Sequence, residues 1–322
     1  MYTIREQLKT GQIQRFYVLT GTEDYLRRVY LGRLERAILA EGDTMNRAVF
    51  EGNKADPNEV LDAAMTLPFL AERRLIILQD TGWLKTSCIL ADHLDEIPET
   101  TYFLFSEKEC DKRNRLYKYI EDNGHVAVFE PLREKDAVSF VVNLLARNGL
   151  RIAENDASLL VEIAAGDLNA ISNEIDKLTA YCDGRGEVTR DDITALSSSL
   201  TQGQMFRMVD AIVAGNRKQA VALYKDLILA QTPPARLLFN LTNSFYQFSL
   251  VLRLARKGLN AYDIAQQLKL NSYAVTKYLK AGKNVSIERI TSMVAYGEEL
   301  EAKVKSGNLP DRVAVEMFLM KP

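Results

Sequence analysis

Phosphate chemistry is the first to look for, because a glycine-bearing turn between a strand and a helix offers backbone N–H groups and a helix N-terminus to an anion. Such a turn follows the apolar run Phe16 to Leu19 and reads Gly21-Thr22-Glu23-Asp24-Tyr25-Leu26-Arg27-Arg28. On the pattern GxxxxGK[ST], Gly21 fits, but Leu26 replaces the second glycine, Arg27 the lysine and Arg28 the hydroxyl that would hold magnesium. Two acids, Glu23 and Asp24, stand where a phosphate needs bare amides. After Leu75 to Leu78 one acid, Asp80, is followed by Thr81, so the Asp-Glu pair that would orient a hydrolytic water is missing. These residues predict a nucleotide-binding architecture without a working nucleotide site, and no ATP hydrolysis.

Other chemistry finds little support. The two histidines, His93 and His125, are far apart in sequence and adjoin no nucleophile motif. Cys88, Cys110 and Cys182 form no CxxC pair and are odd in number, which argues against a disulfide framework or a zinc knuckle and for packing roles. No metal and no cofactor is expected. Across 322 residues the chain is 47% hydrophobic and 26% charged, the composition of an ordinary globular protein with room for two or three domains. Its net charge of −2 means that any nucleic-acid contact must come from local basic patches. No apolar run approaches the about 18 residues of a membrane span, and the opening Met1-Tyr2-Thr3-Ile4-Arg5-Glu6 lacks the apolar core of a signal peptide. A cytoplasmic location without membrane contact is expected.

The elements that must position these residues alternate in type. Apolar runs at Phe16 to Leu19, Arg47 to Phe50, Leu75 to Leu78, Tyr102 to Phe105 and Val126 to Phe129 predict a five-stranded, mostly parallel sheet in an α/β domain. A helical face runs through Leu26, Val29, Tyr30, Leu34 and Ile38, and Asp56-Pro57 opens another helix with Pro at its first position. Between that helix and the third strand lies Met65-Thr66-Leu67-Pro68-Phe69-Leu70. Pro68 removes a backbone donor and biases Leu67 away from helix, so the chain turns there. Leu67, Phe69 and Leu70 then have two destinations: the underside of the core, or a hydrophobic plug shown to a partner. The segment from Phe105 to Lys118, which leaves the fourth strand and enters a helix with clustered bases, is expected to be a solvated helix start.

Strand pattern gives way to helices at Pro131. Helices are predicted over 136–146, through Leu159, Leu160 and Ile163 with Asp156 as cap, and over 167–181, while Thr189 with Asp192 resembles a capping box. After Ser197-Ser198-Ser199 the chain reads as all helix, including a long one from Pro234 to Lys257. Leu237, Leu241, Phe245, Phe248 and Leu252 on it fit an internal core or subunit contacts. The stretch Asp263 to Lys280 resembles a DNA-binding helix-turn-helix, with Ala265 and Val275 in packing places and Lys269 in the turn where Gly is common. Beyond apolar residues its reading helix offers Lys277, Lys280 and Lys283, which suit phosphate contacts better than base reading.

Taken in order, TLPFLAERRLIIL at 66 to 78, GTEDYLRR at 21 to 28, Lys108 with Asp111-Lys112-Arg113, Gly166-Asp167-Leu168 and Asn173 to Leu178 resemble the delta subunit of the bacterial DNA polymerase III clamp loader. The resemblance runs essentially end to end. It implies an AAA+-like α/β domain (1–131) that has lost ATP binding, a small helical lid domain (132–200) and an all-α collar domain (201–322) that holds the loader together. It also implies a subunit of the DNA-directed DNA polymerase III holoenzyme that binds and opens the sliding beta clamp for loading onto primed DNA. Its partners would be the gamma/tau and delta-prime subunits. The clamp-contacting pair falls on Phe69 and Leu70, with Met65 and Leu67 as supports. Asn169 stands where the lid of the AAA+ fold commonly has a nucleotide-contacting Arg. The related delta-prime and motor subunits carry a zinc-binding cysteine cluster and, in the motor, an intact phosphate loop, neither of which is present here. The rival functions are an ATP-hydrolysing AAA+ protein and a helix-turn-helix regulator.

Overall fold

A computed structural model describes residues 2–196 and 200–321. They divide into two compact units that meet at Pro131 and Leu132. The expected junction at Ser197-Ser198-Ser199 lies outside the described residues.

The first unit is built on five strands, β1 (Phe16–Thr20), β2 (Arg47–Glu51), β3 (Arg74–Gln79), β4 (Thr101–Glu107) and β5 (His125–Val128). Their order across the sheet is β2-β3-β4-β1-β5, and every neighbouring pair is parallel. Leu75, Ile76, Ile77 and Leu78 of β3 are fully buried, as a strand covered on both faces requires. At the sheet edge, β2 alternates exposed and half-buried positions. Helices connect the strands: α1 (Tyr2–Thr10) precedes β1, and α2 (Asp24–Ile38), α3 (Pro57–Met65), α4 (Leu90–His93) and α5 (Arg115–Asn123) follow in turn. Val60, Ala64, Leu90, Leu116 and Ile120 from α3, α4 and α5 pack with Phe16, Val18, Ile76, Leu78 and Phe103. The helix start at Asp56 is as expected, with its carboxylate accepting from the Asn58 N–H at 2.9 Å and Pro57 at the first position.

The second unit is helical: α6 (Glu134–Arg147), α7 (Glu154–Ile163), α8 (Leu168–Tyr181), α9 (Arg190–Leu196), α10 (Leu200–Val213), α11 (Arg217–Leu229), α12 (Pro234–Arg256), α13 (Ala261–Leu268), α14 (Ser272–Ala281), α15 (Ile287–Lys305) and α16 (Asp311–Met320). Two short strands, β6 (Arg151–Ile152) and β7 (Glu187–Val188), pair in parallel and were not foreseen. Each is two residues long, too short to show a period. Asp156 is not a cap, because α7 starts at Glu154 with Ala153 before it. It sits instead in the first turn, where a carboxylate is favoured by the helix dipole, and pairs with Arg190 at 3.5 Å. The capping box is present: Thr189 N–H donates to Asp192 at 2.8 Å and Asp192 N–H to the Thr189 hydroxyl at 3.4 Å. Leu237, Leu241, Phe245, Phe248 and Leu252 all face the interior core of this unit. Among the described residues no helix is long and apolar enough to cross a membrane.

Candidate functional site

Helix α3 stops at Met65 because Pro68 follows so closely, and Thr66 is already extended. The Thr66 hydroxyl donates back to the Asp62 carbonyl at 2.8 Å, satisfying one of the helix's last acceptors. From here to β3 the chain forms an arm whose apolar side chains stand in solvent. Leu67 is 67% exposed, Phe69 61% and Leu70 92%, with Met65 at 38%. The core destination is therefore excluded for these residues, which lie on the surface. Leu70 has φ +50, a left-handed conformation that side chains with a Cβ adopt rarely.

The arm is apolar at its tip and polar at its root. Asn46, 1% exposed, accepts from the Phe69 N–H through Oδ1 at 2.6 Å and donates from Nδ2 to the Phe69 carbonyl at 3.0 Å. Its Nδ2 also donates to Asp43 Oδ2 at 2.9 Å, and its carbonyl accepts from the Leu75 N–H at 2.8 Å. Hydrogen bonds from the Asn46 side chain and backbone hold the Asp43 carboxyl below its ordinary value. On the other side, Arg74 Nε donates to the Ala63 carbonyl at 2.6 Å, and the Arg73 guanidinium lies 5.1 Å from the centre of the Tyr102 ring. Beside the arm opens a concavity of about 720 Å³ lined by Leu39, Met45, Asn46, Phe69, Leu70 and Arg73 among others. Met45, 68% exposed, extends the apolar surface. Sequence reasoning missed Met45, Asn46 and Asp43. The only signal was an Asp-Thr-Met-Asn turn before a strand, and nothing in it points to a partner 23 residues away.

The phosphate-loop position is filled by the protein itself. Gly21 has φ +115, and a Cβ there would lie 2.1 Å from the Phe129 carbonyl oxygen. Its N–H donates to the Lys108 carbonyl at 3.2 Å, and the Glu23 N–H to the Phe129 carbonyl at 3.0 Å. Two loop amides are thus already engaged. Leu26 is buried, and Arg28 pairs with Asp24 at 3.2 Å. Arg27, 5% exposed, donates to the Ser106 hydroxyl and to Asp24, each at 3.1 Å, and lies 3.8 Å from Asp80. Thr22 Oγ1 and Arg27 Nε are buried without a hydrogen-bond partner. One residue of the charged segment from Phe105 to Lys118 departs from the solvated reading: Glu107 is still the last residue of β4 and is buried, where Thr81 N–H, the Thr81 hydroxyl and Gly82 N–H all donate to it. Burial pushes its carboxyl up, and these donors pull it back. Burial likewise pushes the Cys110 thiol up to about 11. Asn169 lies in the second unit as the second residue of α8, where its N–H donates to Asp167 at 2.8 Å.

The three lysines of the helix-turn-helix segment differ. Lys280 is exposed on α14, whereas Lys283, also exposed, lies beyond the end of that helix in a 3-10 turn over Gly282–Asn284 and so is not on the reading helix. Lys277 is half-buried, donates to Glu134 at 3.2 Å and stands over the Tyr273 ring at 5.1 Å. Lys269 holds the turn with φ +52, and Ala265 and Val275 are buried where the motif packs. Tyr273, Ala274, Val275 and Tyr278 of α14 are buried too. A reading helix needs its early residues free for base edges, and here they are committed to packing.

Comparison with known proteins gives one answer along the chain. A model for the DNA polymerase III delta subunit matches residues 17–130, and one for the delta subunit's C-terminal domain matches residues 202–322. DNA polymerase III subunit delta of Bacillus subtilis is 25% identical over 337 residues, which cover 100% of this chain and 96% of that protein. A probable DNA polymerase III subunit delta of Aquifex aeolicus is 21% identical over 296 residues, 86% of this chain and 83% of that protein. The solved Bacillus subtilis DNA clamp loader delta protein shares the fold with a TM-score of 0.80 at 24% identity, over 99% of this chain and 98% of that one. With both units matched by delta-subunit models, this chain belongs to the DNA polymerase III delta-subunit family.

Proposed function

We propose that this chain is the clamp-gripping subunit of a DNA polymerase III clamp loader, which binds and opens the sliding beta clamp for loading onto primed DNA. The observation that carries the reading is the arm: Leu67, Phe69 and Leu70 are exposed at its tip while its backbone is tied down at Asn46. Large apolar side chains gathered on a fixed surface have the form of an interface anchor. The names of the relatives, a polymerase III delta subunit and a clamp loader delta protein, support the partner. In this reading Phe69 and Leu70 enter a pocket of the clamp, with Met65 and Leu67 beside them. Gamma/tau and delta-prime subunits complete the complex, which works in the cytoplasm. ATP is hydrolysed by those partners and not by this chain, whose loop amides and Arg27 are occupied internally. Residues 1–131 act as the AAA+-like clamp-binding domain, 132–200 as lid and 201–322 as collar, with Lys280 and Lys283 available to phosphates. The start of the C-terminal family model at residue 202 supports the second boundary.

Replacing Phe69 and Leu70 together with Ala tests it. Each side chain is worth roughly 1.5–3 kcal/mol when fully buried. Clamp binding should weaken by about 3–5 kcal/mol, on the order of a hundredfold to several thousandfold, with the thermal melt unchanged because neither side chain is core. A folded double variant that binds the clamp as tightly as the unmodified chain would overturn the reading.

A further inference from the structure

We infer that Asn46 is the positioning residue of the arm, fixing the direction of Phe69 and Leu70 before any partner arrives; the inference rests on the clamp-binding reading above. Its carboxamide offers one acceptor and one donor to the two backbone groups of a single residue, Phe69, at 2.6 and 3.0 Å. Asp43 fixes which way the amide faces. A carboxylate only accepts, so the nitrogen must be the end that lies 2.9 Å from Asp43 Oδ2, which leaves the oxygen for the Phe69 N–H. Both amide hydrogens and the oxygen are thereby used, in a side chain 1% exposed. No other side chain of this length supplies both functions: Asp presents two acceptors, and Leu none.

The clasp lies at the root of the edge strand β2 and grips the arm one residue before Leu70, whose left-handed backbone then turns its side chain outward. An arm ordered in the free protein loses less conformational freedom on binding than one that orders in the complex. Asn46 therefore contributes to affinity while it is itself buried away from any partner.

Asn46→Asp tests this with almost no change of shape. It keeps an acceptor for the Phe69 N–H, but sets an oxygen against the Phe69 carbonyl and a second negative charge beside Asp43. Clamp affinity should fall about tenfold, equivalent to about 1.4 kcal/mol. In hydrogen exchange on the full chain without clamp, the Phe69 amide should lose protection. The Leu75 amide should keep it, because its partner is the backbone carbonyl of residue 46. Loss of protection at both amides would mean a structural role and overturn the inference. Should the variant fail to fold, the unmodified chain still decides: a Phe69 amide that exchanges at the rate of an open chain would overturn it. The Phe69→Ala, Leu70→Ala double variant separates the two readings. If that variant loses clamp binding and Asn46→Asp does not, only the positioning role falls. If the double variant binds normally, the clamp reading falls and takes this inference with it.

Discussion

Arg27 shows how much one position decides. At the place where a phosphate loop carries lysine, it is buried and divides its guanidinium between Ser106, Asp24 and Asp80. A lysine could reach one of these partners but could not fork between them. Arg27→Lys should therefore create no ATP site: titration with a fluorescent ATP analogue should give no binding tighter than about 1 mM, with no turnover above background. Saturable micromolar binding by this variant would refute the reading of a lost site. The misfit at Leu26, Arg27 and Arg28 was legible in the sequence because a motif fixes spacing along the chain. The clasp at Asn46 was not, because a polar residue before a strand is ordinarily satisfied by its own turn, and only the fold brings Phe69 to it.

Among the elements, a start is legible where a side chain caps it, since a cap is a local chemical event. Asp167 was placed at the head of α8 from sequence, and its carboxylate accepts from Asn169 and Ala170 N–H at 2.8 and 3.2 Å. Asp167→Ala should cost about 1 kcal/mol, read as a lower urea midpoint with an unchanged slope. Asp167→Asn, which keeps an acceptor oxygen, should recover most of it. A midpoint unchanged in the Ala variant would show that the cap contributes nothing. The five parallel strands were legible because burial on both faces leaves continuous apolar runs, as at Leu75 to Leu78. Their order was not, since parallel neighbours are joined by crossovers and periodicity carries no record of which strand lies beside which.

For the molecule as a whole, the second unit brings the helices on either side of Ser197-Ser198-Ser199 into one compact body. Gly166, with φ +69, lies under Tyr273 of α14, where a Cβ would come within 2.7 Å of the Tyr273 Cβ. Glu134 of α6 reaches Lys277 of α14 at 3.2 Å, and Glu162 lies 3.9 Å from Arg207. Exposed ion pairs contribute little, so the close approach at Gly166 is the stronger tie. Gly166→Ala should destabilise the chain by about 1–3 kcal/mol, through strain at a positive φ and through overpacking against Tyr273. An unchanged melting temperature in calorimetry would show that the turn relaxes without loss.

The register of the first sheet also sets a timetable for synthesis. β1 is flanked only by β4 and β5, with Phe16 opposite Phe103 and Tyr17 opposite His125, so the second strand to leave the ribosome beside it is also the last of the five. At about 5–20 residues per second, β1 waits roughly 4–16 s for its first hydrogen-bonding neighbour. Throughout that interval five residues that end up buried, Phe16 to Thr20, travel on the nascent chain with both edges open. The first strand made is thus the one whose pairing is completed last, which makes it the segment a cotranslational chaperone has most reason to cover.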